Sequence, residues 1–169
     1  MAERLVQIAQ ALRVRTRTSG HEWAATLDAS TGDPVGGPLH GAGKDIDLRS
    51  HFELLSPGHT YVTVHTHPMS SPPSPGDVLV LVANPSIDLV SVAGVDGTWY
   101  VVARSPEGPR ISDRAVRLRF TAEFLRLRPG FDAQAMAGTL PPQEALTALL
   151  DTIWQRIAPS LGLHYDRVR

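Results

Sequence analysis

The run Tyr61-Val62-Thr63-Val64 leads without a break into His65-Thr66-His67-Pro68, and a proline- and serine-rich loop then ends at Ser74-Pro75-Gly76-Asp77. β-Branched residues mark the first part as a strand. Pro68 cannot continue a hydrogen-bonded ladder, so the strand stops there. Ser74 reads as a helix N-cap, Pro75 suits the first turn, and Asp77 falls three residues after the cap, where a capping box closes. A chain with this segment must set the end of a strand against the start of a helix.

That arrangement has a chemical consequence. Residues two apart on a strand share a face, so His65 and His67 project together while Thr66 points away. Two imidazoles on one side can share a zinc ion, and Asp77 at the start of the following helix is placed to be a third ligand. A two-histidine, one-carboxylate set leaves a position open for water, as in catalytic zinc sites. Such a site needs a carboxylate outside the ligand set to move protons. Glu22, on a separate predicted strand, is the candidate, with Glu53 as a rival. Plainer readings exist for each part. A His-x-His pair arises by chance in a chain with seven histidines, Ser74 and Asp77 are fully explained as a helix cap, and Glu22 suits a solvent-facing strand position.

Composition narrows the alternatives. The chain has 169 residues, 42% of them apolar, enough for one α/β domain over 1–169. It contains no cysteine, which excludes disulfides, thiolate metal sites and cysteine nucleophiles. With 17 acidic and 16 basic residues there is no global field toward nucleic acid or anionic lipid. Arg13, Arg15 and Arg17, and then Arg114, Arg117, Arg119, Arg126 and Arg128, form two basic runs that read as solvated faces. The opening residues lack the apolar core of a signal peptide, and the apolar stretch Val78–Val95 is broken by Asn84-Pro85-Ser86 and Asp88. A cytoplasmic protein without membrane spans is expected. His21-Glu22-Trp23-Ala24-Ala25 lacks the second histidine of a zincin helix, no Walker-type Gly-Lys-Ser/Thr follows the glycines from Gly36 to Gly43, and no Gly-x-Ser-x-Gly elbow occurs.

Around this centre the pattern predicts an N-terminal amphipathic helix through Leu5, Ile8, Ala9 and Leu12. A hairpin follows, from a strand over 22–27 through Ser30-Thr31-Gly32-Asp33-Pro34 into a bulged second strand and loop over 35–43. A short helix is expected over 47–55, and another over 76–83. Strands over 87–93 and 98–103 turn at Asp96-Gly97. Helices are expected over 113–127 and around Leu146–Ile157, with Trp154 in the core and a loop bracketed by Pro129-Gly130 and Pro141-Pro142. The order predicts a mixed β-sheet sandwiched between helices, an α/β/α architecture.

The conjunction of an upstream glutamate, His65-Thr66-His67-Pro68 and Ser74-Pro75-Gly76-Asp77 resembles the JAMM/MPN-type (JAB domain) zinc metallopeptidases, in a prokaryotic-like single-domain form. The resemblance covers about 20–105, leaving helices over about 112–160 to complete the chain. The spacing from His67 to Asp77 is one residue shorter than the commonest form, and Ala25 stands where a glycine is usual. The resemblance implies Zn2+ held by His65, His67 and Asp77, Glu22 as general base, and Ser74 stabilising the oxyanion. It also implies a cytidine-deaminase-like α/β/α fold. The implied activity is cleavage of an amide or isopeptide bond that releases a ubiquitin-like protein, with the glycine-rich stretch before Lys44 and the loop Met69-Ser70-Ser71 as the substrate groove. Small peptides or amino-acid conjugates as substrates, and a non-catalytic scaffold binding protein or DNA, are the alternatives.

Overall fold

The computed structural model describes residues 2–41, 46–108 and 111–168. Six strands form one mixed sheet: β1 (Trp23–Asp28), β2 (Leu39–His40), β3 (Tyr61–His67), β4 (Ile87–Gly94), β5 (Trp99–Arg104) and β6 (Leu163–Val168). Their order is β2-β1-β3-β4-β5-β6. The β3–β4 pair is parallel and the other pairs are antiparallel. Five helices pack around the sheet: α1 (Ala2–Ser19), α2 (Arg49–Phe52), α3 (Pro75–Ala83), α4 (Asp113–Met136) and α5 (Pro142–Ile157).

The sheet divides two apolar clusters. On one face, Ala9 and Leu12 of α1 are buried with Ala25, Val64 and Ala93. On the other, Val78 and Leu81 of α3, Val116 and Phe120 of α4, and Leu149, Ile153 and Trp154 of α5 pack over Tyr61, Val90 and Val102. The alternation along β3 therefore sends residues 61, 63, 65 and 67 toward α3, and residues 62, 64 and 66 toward α1. Trp154 is fully buried and its indole N–H donates to the Pro73 carbonyl at 2.7 Å, which ties the proline-rich loop to the core.

Several expectations change. The second strand of the first hairpin shrinks to Leu39–His40, with a lone bridge between Leu27 and Pro34. Residues 42–45 of the expected glycine-rich groove lie outside the described residues. The short helix is confined to Arg49–Phe52. No loop forms at Pro129-Gly130: α4 runs through them to Met136. An interior proline costs about 3 kcal/mol, but Phe124, Leu127 and Phe131 pack against the core on both sides of it and Arg128 pairs with Asp132 across it at 3.1 Å. The N-terminal arginines are not simply solvated. Arg13 donates to the Gly97 and Thr98 carbonyls and Arg17 to that of Val95, stitching α1 to the β4–β5 turn. Strand β6, unforeseen in the sequence, completes the sheet beside β5. Among the described residues, no helix is long and apolar enough to cross a membrane.

Candidate metal centre

Strand β3 carries both histidines to its very end, and both are buried. Their Nε2 atoms lie 3.2 Å apart. Asp77, in the first turn of α3, brings Oδ1 to 3.2 Å from His65 Nε2 and Oδ2 to 3.6 Å from His67 Nε2. One ligand atom from each of the three residues can be chosen so that all lie within 4.8 Å of one another. Glu22 precedes β1, beside the end of β3, and its Oε1 is 3.8 Å from His67 Nε2.

The helix cap and the candidate ligand prove to be one object. Ser74 Oγ accepts from the Asp77 amide at 3.3 Å, and the Ser74 amide donates to Asp77 Oδ2 at 2.6 Å. This capping box fixes the carboxylate and turns Oδ1 toward His65. Glu53 is exposed at the end of α2, does not line the cleft and is not brought to the cluster.

Three further groups hold the centre. His67 Nδ1 lies 2.9 Å from the Ser71 carbonyl, which can only accept, so Nδ1 carries the proton and Nε2 presents a lone pair to the cluster. Such partners orient metal-binding imidazoles. Gly94 pairs with His67 in the sheet, and a Cβ there would meet Ser70 Cβ at 2.8 Å. Only glycine lets the 68–71 turn close onto β4 and present Ser71. Thr66, on the opposite face, accepts from the Trp23 amide at 3.0 Å and shares a 2.5 Å hydrogen bond with Thr16 of α1. It thereby fixes the backbone next to Glu22. These partners come from distant segments or carry no motif; Thr66 lies inside the His-x-His motif, yet nothing local reveals its role.

The electrostatics are those of a site short of positive charge. Burial opposes a charge on His65, but the Asp77 carboxylate and its hydrogen bond, with Glu22 behind them, hold its pKa above the ordinary histidine value. Burial and then the charge of His65 push His67 down to about 4. Burial alone would raise Asp77, yet His65, His67 and the Ser74 amide keep it below the usual carboxylate range. Two imidazole nitrogens and a carboxylate, with no thiolate in the chain, form a donor set that suits a divalent transition metal, zinc among them. An open cleft of about 390 Å³ exposes the cluster, with Ser71 and Ser74 on its wall. Comparison with family models, with curated proteins and with solved structures gives no match to this chain. Fold and site together define a mixed α/β protein with a buried His-His-Asp group able to hold a metal ion.

Proposed function

We propose that this chain is a zinc-dependent hydrolase of amide bonds, acting on a peptide or isopeptide linkage. The observation that carries the reading is the convergence of His65 Nε2, His67 Nε2 and the Asp77 carboxylate in an open cleft, with the Glu22 carboxylate beside them. The match of Glu22, His65-Thr66-His67-Pro68 and Ser74-x-x-Asp77 to the JAMM/MPN signature supports it. In this reading His65, His67 and Asp77 hold zinc. Zinc, when bound, polarises a carbonyl and lowers the pKa of a water to about 7. Glu22 takes the proton from the attacking water and returns it to the leaving nitrogen. Ser74 Oγ already accepts the Asp77 amide, so its own proton is available for the developing oxyanion.

A ubiquitin-like tail is one substrate of this class. Strand β2 is the outer strand of its sheet edge and offers a ladder to which an extended tail can add. Release of a short peptide or amino-acid conjugate is the second reading, and the aliphatic part of the cleft wall, Ile46, Leu48, Val80 and Val90, favours it. Elemental analysis of protein purified without added metal, combined with cleavage assays on ubiquitin-like fusions and short peptides, tests the proposal. One zinc per chain and chelator-sensitive cleavage are expected. Glu22→Ala is expected to keep the metal and lose cleavage, and His65→Ala to lose both. Iron in place of zinc, or cleavage that survives Glu22→Ala, contradicts it.

A further inference from the structure

The cleft over the metal centre is chemically divided. Beyond the His-His-Asp group its wall is made by Ile46, Leu48, Thr63, Val80 and Val90. Thr63 lies two residues before His65 on β3 and pairs with Val90 on β4. Val80 lies three residues after Asp77 on α3. Because α3 joins two parallel strands, it runs back along the sheet against the direction of β3, so both steps lead the same way from the metal ligands. They amount to about 6.6 Å on the strand and about 4.5 Å on the helix. This is the reach of an aliphatic side chain whose backbone carbonyl sits at the metal centre.

The wall at Ile46 and Leu48 is built, not incidental. Ile46 and Leu48 immediately precede α2, and α2 is anchored from beneath by His51. That imidazole is buried, with Nδ1 3.0 Å from Thr26 Oγ1 and Nε2 2.7 Å from the Gly37 carbonyl. Two aliphatic side chains, the buried Val90 and the partly buried Val80, thus line an open space beside the polar centre. Thr63 Oγ1, buried and without a hydrogen-bond partner among the described residues, is the one hydroxyl in this apolar wall.

We propose that this end of the cleft is a side-chain subsite that takes a branched aliphatic residue flanking the scissile amide. The substrate is then an amide of a valine-, leucine- or isoleucine-like residue, and a tail ending only in glycine leaves the subsite unfilled. Wells of this kind, apolar with few polar groups, fix which side chain a site accepts. The inference rests on the zinc-hydrolase reading, and the experiment separates the two.

Zinc-loaded protein is titrated calorimetrically with acetohydroxamate, propanohydroxamate and 3-methylbutanohydroxamate, whose common head group seeks the metal. Each buried methylene is expected to tighten binding about fourfold, or about 60-fold from the first to the last. Val80→Phe fills the subsite without touching a metal ligand. It is expected to abolish that gain while zinc content and acetohydroxamate binding stay as in wild type. A flat wild-type series overturns the subsite while leaving the metal centre intact, and so does a Val80→Phe protein that keeps the full gain. Absence of zinc together with no binding of any hydroxamate overturns the underlying reading instead. If Val80→Phe does not fold, the wild-type series alone decides.

Discussion

Replacing Asp77 by asparagine separates the two tasks of that residue. Its Oδ2 accepts the Ser74 amide and its Oδ1 faces His65. An asparagine can keep the first contact through its carbonyl oxygen, but it then turns an NH2 donor toward the imidazoles. Loss of the buried pair with His65 destabilises the metal-free fold, whereas the helix start is largely preserved and its share of the cost is expected to stay below about 1 kcal/mol. For a chain of 169 residues that share is a fall of roughly 2–4 °C in Tm. Zinc binding should fall by more than about 100-fold, since losing even a partner behind a ligand costs 10- to 100-fold. Free zinc at a hundredfold excess over Kd stabilises the wild type by about 2.7 kcal/mol, or roughly 5–11 °C. Asp77→Asn should show none of this rise. The assay is thermal unfolding with buffered zinc and with chelator, alongside a competitive zinc titration. Ser74→Ala is the mirror experiment: it removes the 3.3 Å cap bond and keeps the carboxylate. It should lose about 1 kcal/mol and retain the zinc response. An Asp77→Asn protein that gains the full stabilisation would show that Asp77 is a cap and nothing more.

Three other outcomes are expected. In the metal-free protein His67 is held down at about 4, so the unfolded chain binds the proton first and stability falls as pH drops from about 6.5 to 4, by roughly 3 kcal/mol. The raised His65 acts oppositely: its contribution is full below the ordinary histidine value and is lost as pH rises from there through its folded value. Urea midpoints with chelator at pH 6.5 and pH 4.5 test this, and a slope unchanged in His67→Gln contradicts it. Thr66→Val strands the Trp23 amide and the Thr16 hydroxyl and should cost about 2–4 kcal/mol, with Thr66→Ser restoring most of it in urea unfolding. Asp151 of α5 accepts from Tyr165 at 2.6 Å and Arg167 at 2.8 Å. Asp151→Ala should cost about 2–4 kcal/mol and should speed amide exchange in β6 before the rest of the sheet.

What the sequence made legible depended on how locally each feature is encoded. The β-branched run, the His-x-His spacing and the Ser-Pro-x-Asp cap are each written within a few residues, and they place β3, the start of α3 and the metal cluster. Strand β6 escaped because its inward face carries Tyr165 and Arg167. Alternation is apparent there only once Asp151, on another element, neutralises the arginine. The loop expected at Pro129 failed for the reverse reason, since packing of Phe124 and Phe131 outweighs a local helix breaker. Gly94 bears on the site through a contact with the distant 68–71 turn, and Ser71 reaches His67 from four residues away without any motif to mark it. Thr66 does so through Trp23 and Thr16, although it sits between the two histidines. Sequence spacing shows none of these contacts.

The charge inventory explains why a proton is a poor occupant of this site. His67 is kept neutral with its proton committed to Ser71, and two carboxylates, Asp77 and Glu22, close on the same point. A proton on His65 Nε2 balances only one of those negative charges, in a setting where burial makes an uncompensated charge costly. A divalent cation balances both and allows both imidazoles to be neutral. The same count suits the chemistry. In the proposed reaction Glu22 would take a proton from water as the substrate oxygen becomes negative, and the total charge of the cleft would not change. On that proposal no new charge would have to be desolvated on the way to the tetrahedral species, and the cost of burying this cluster would be met once, on metal binding.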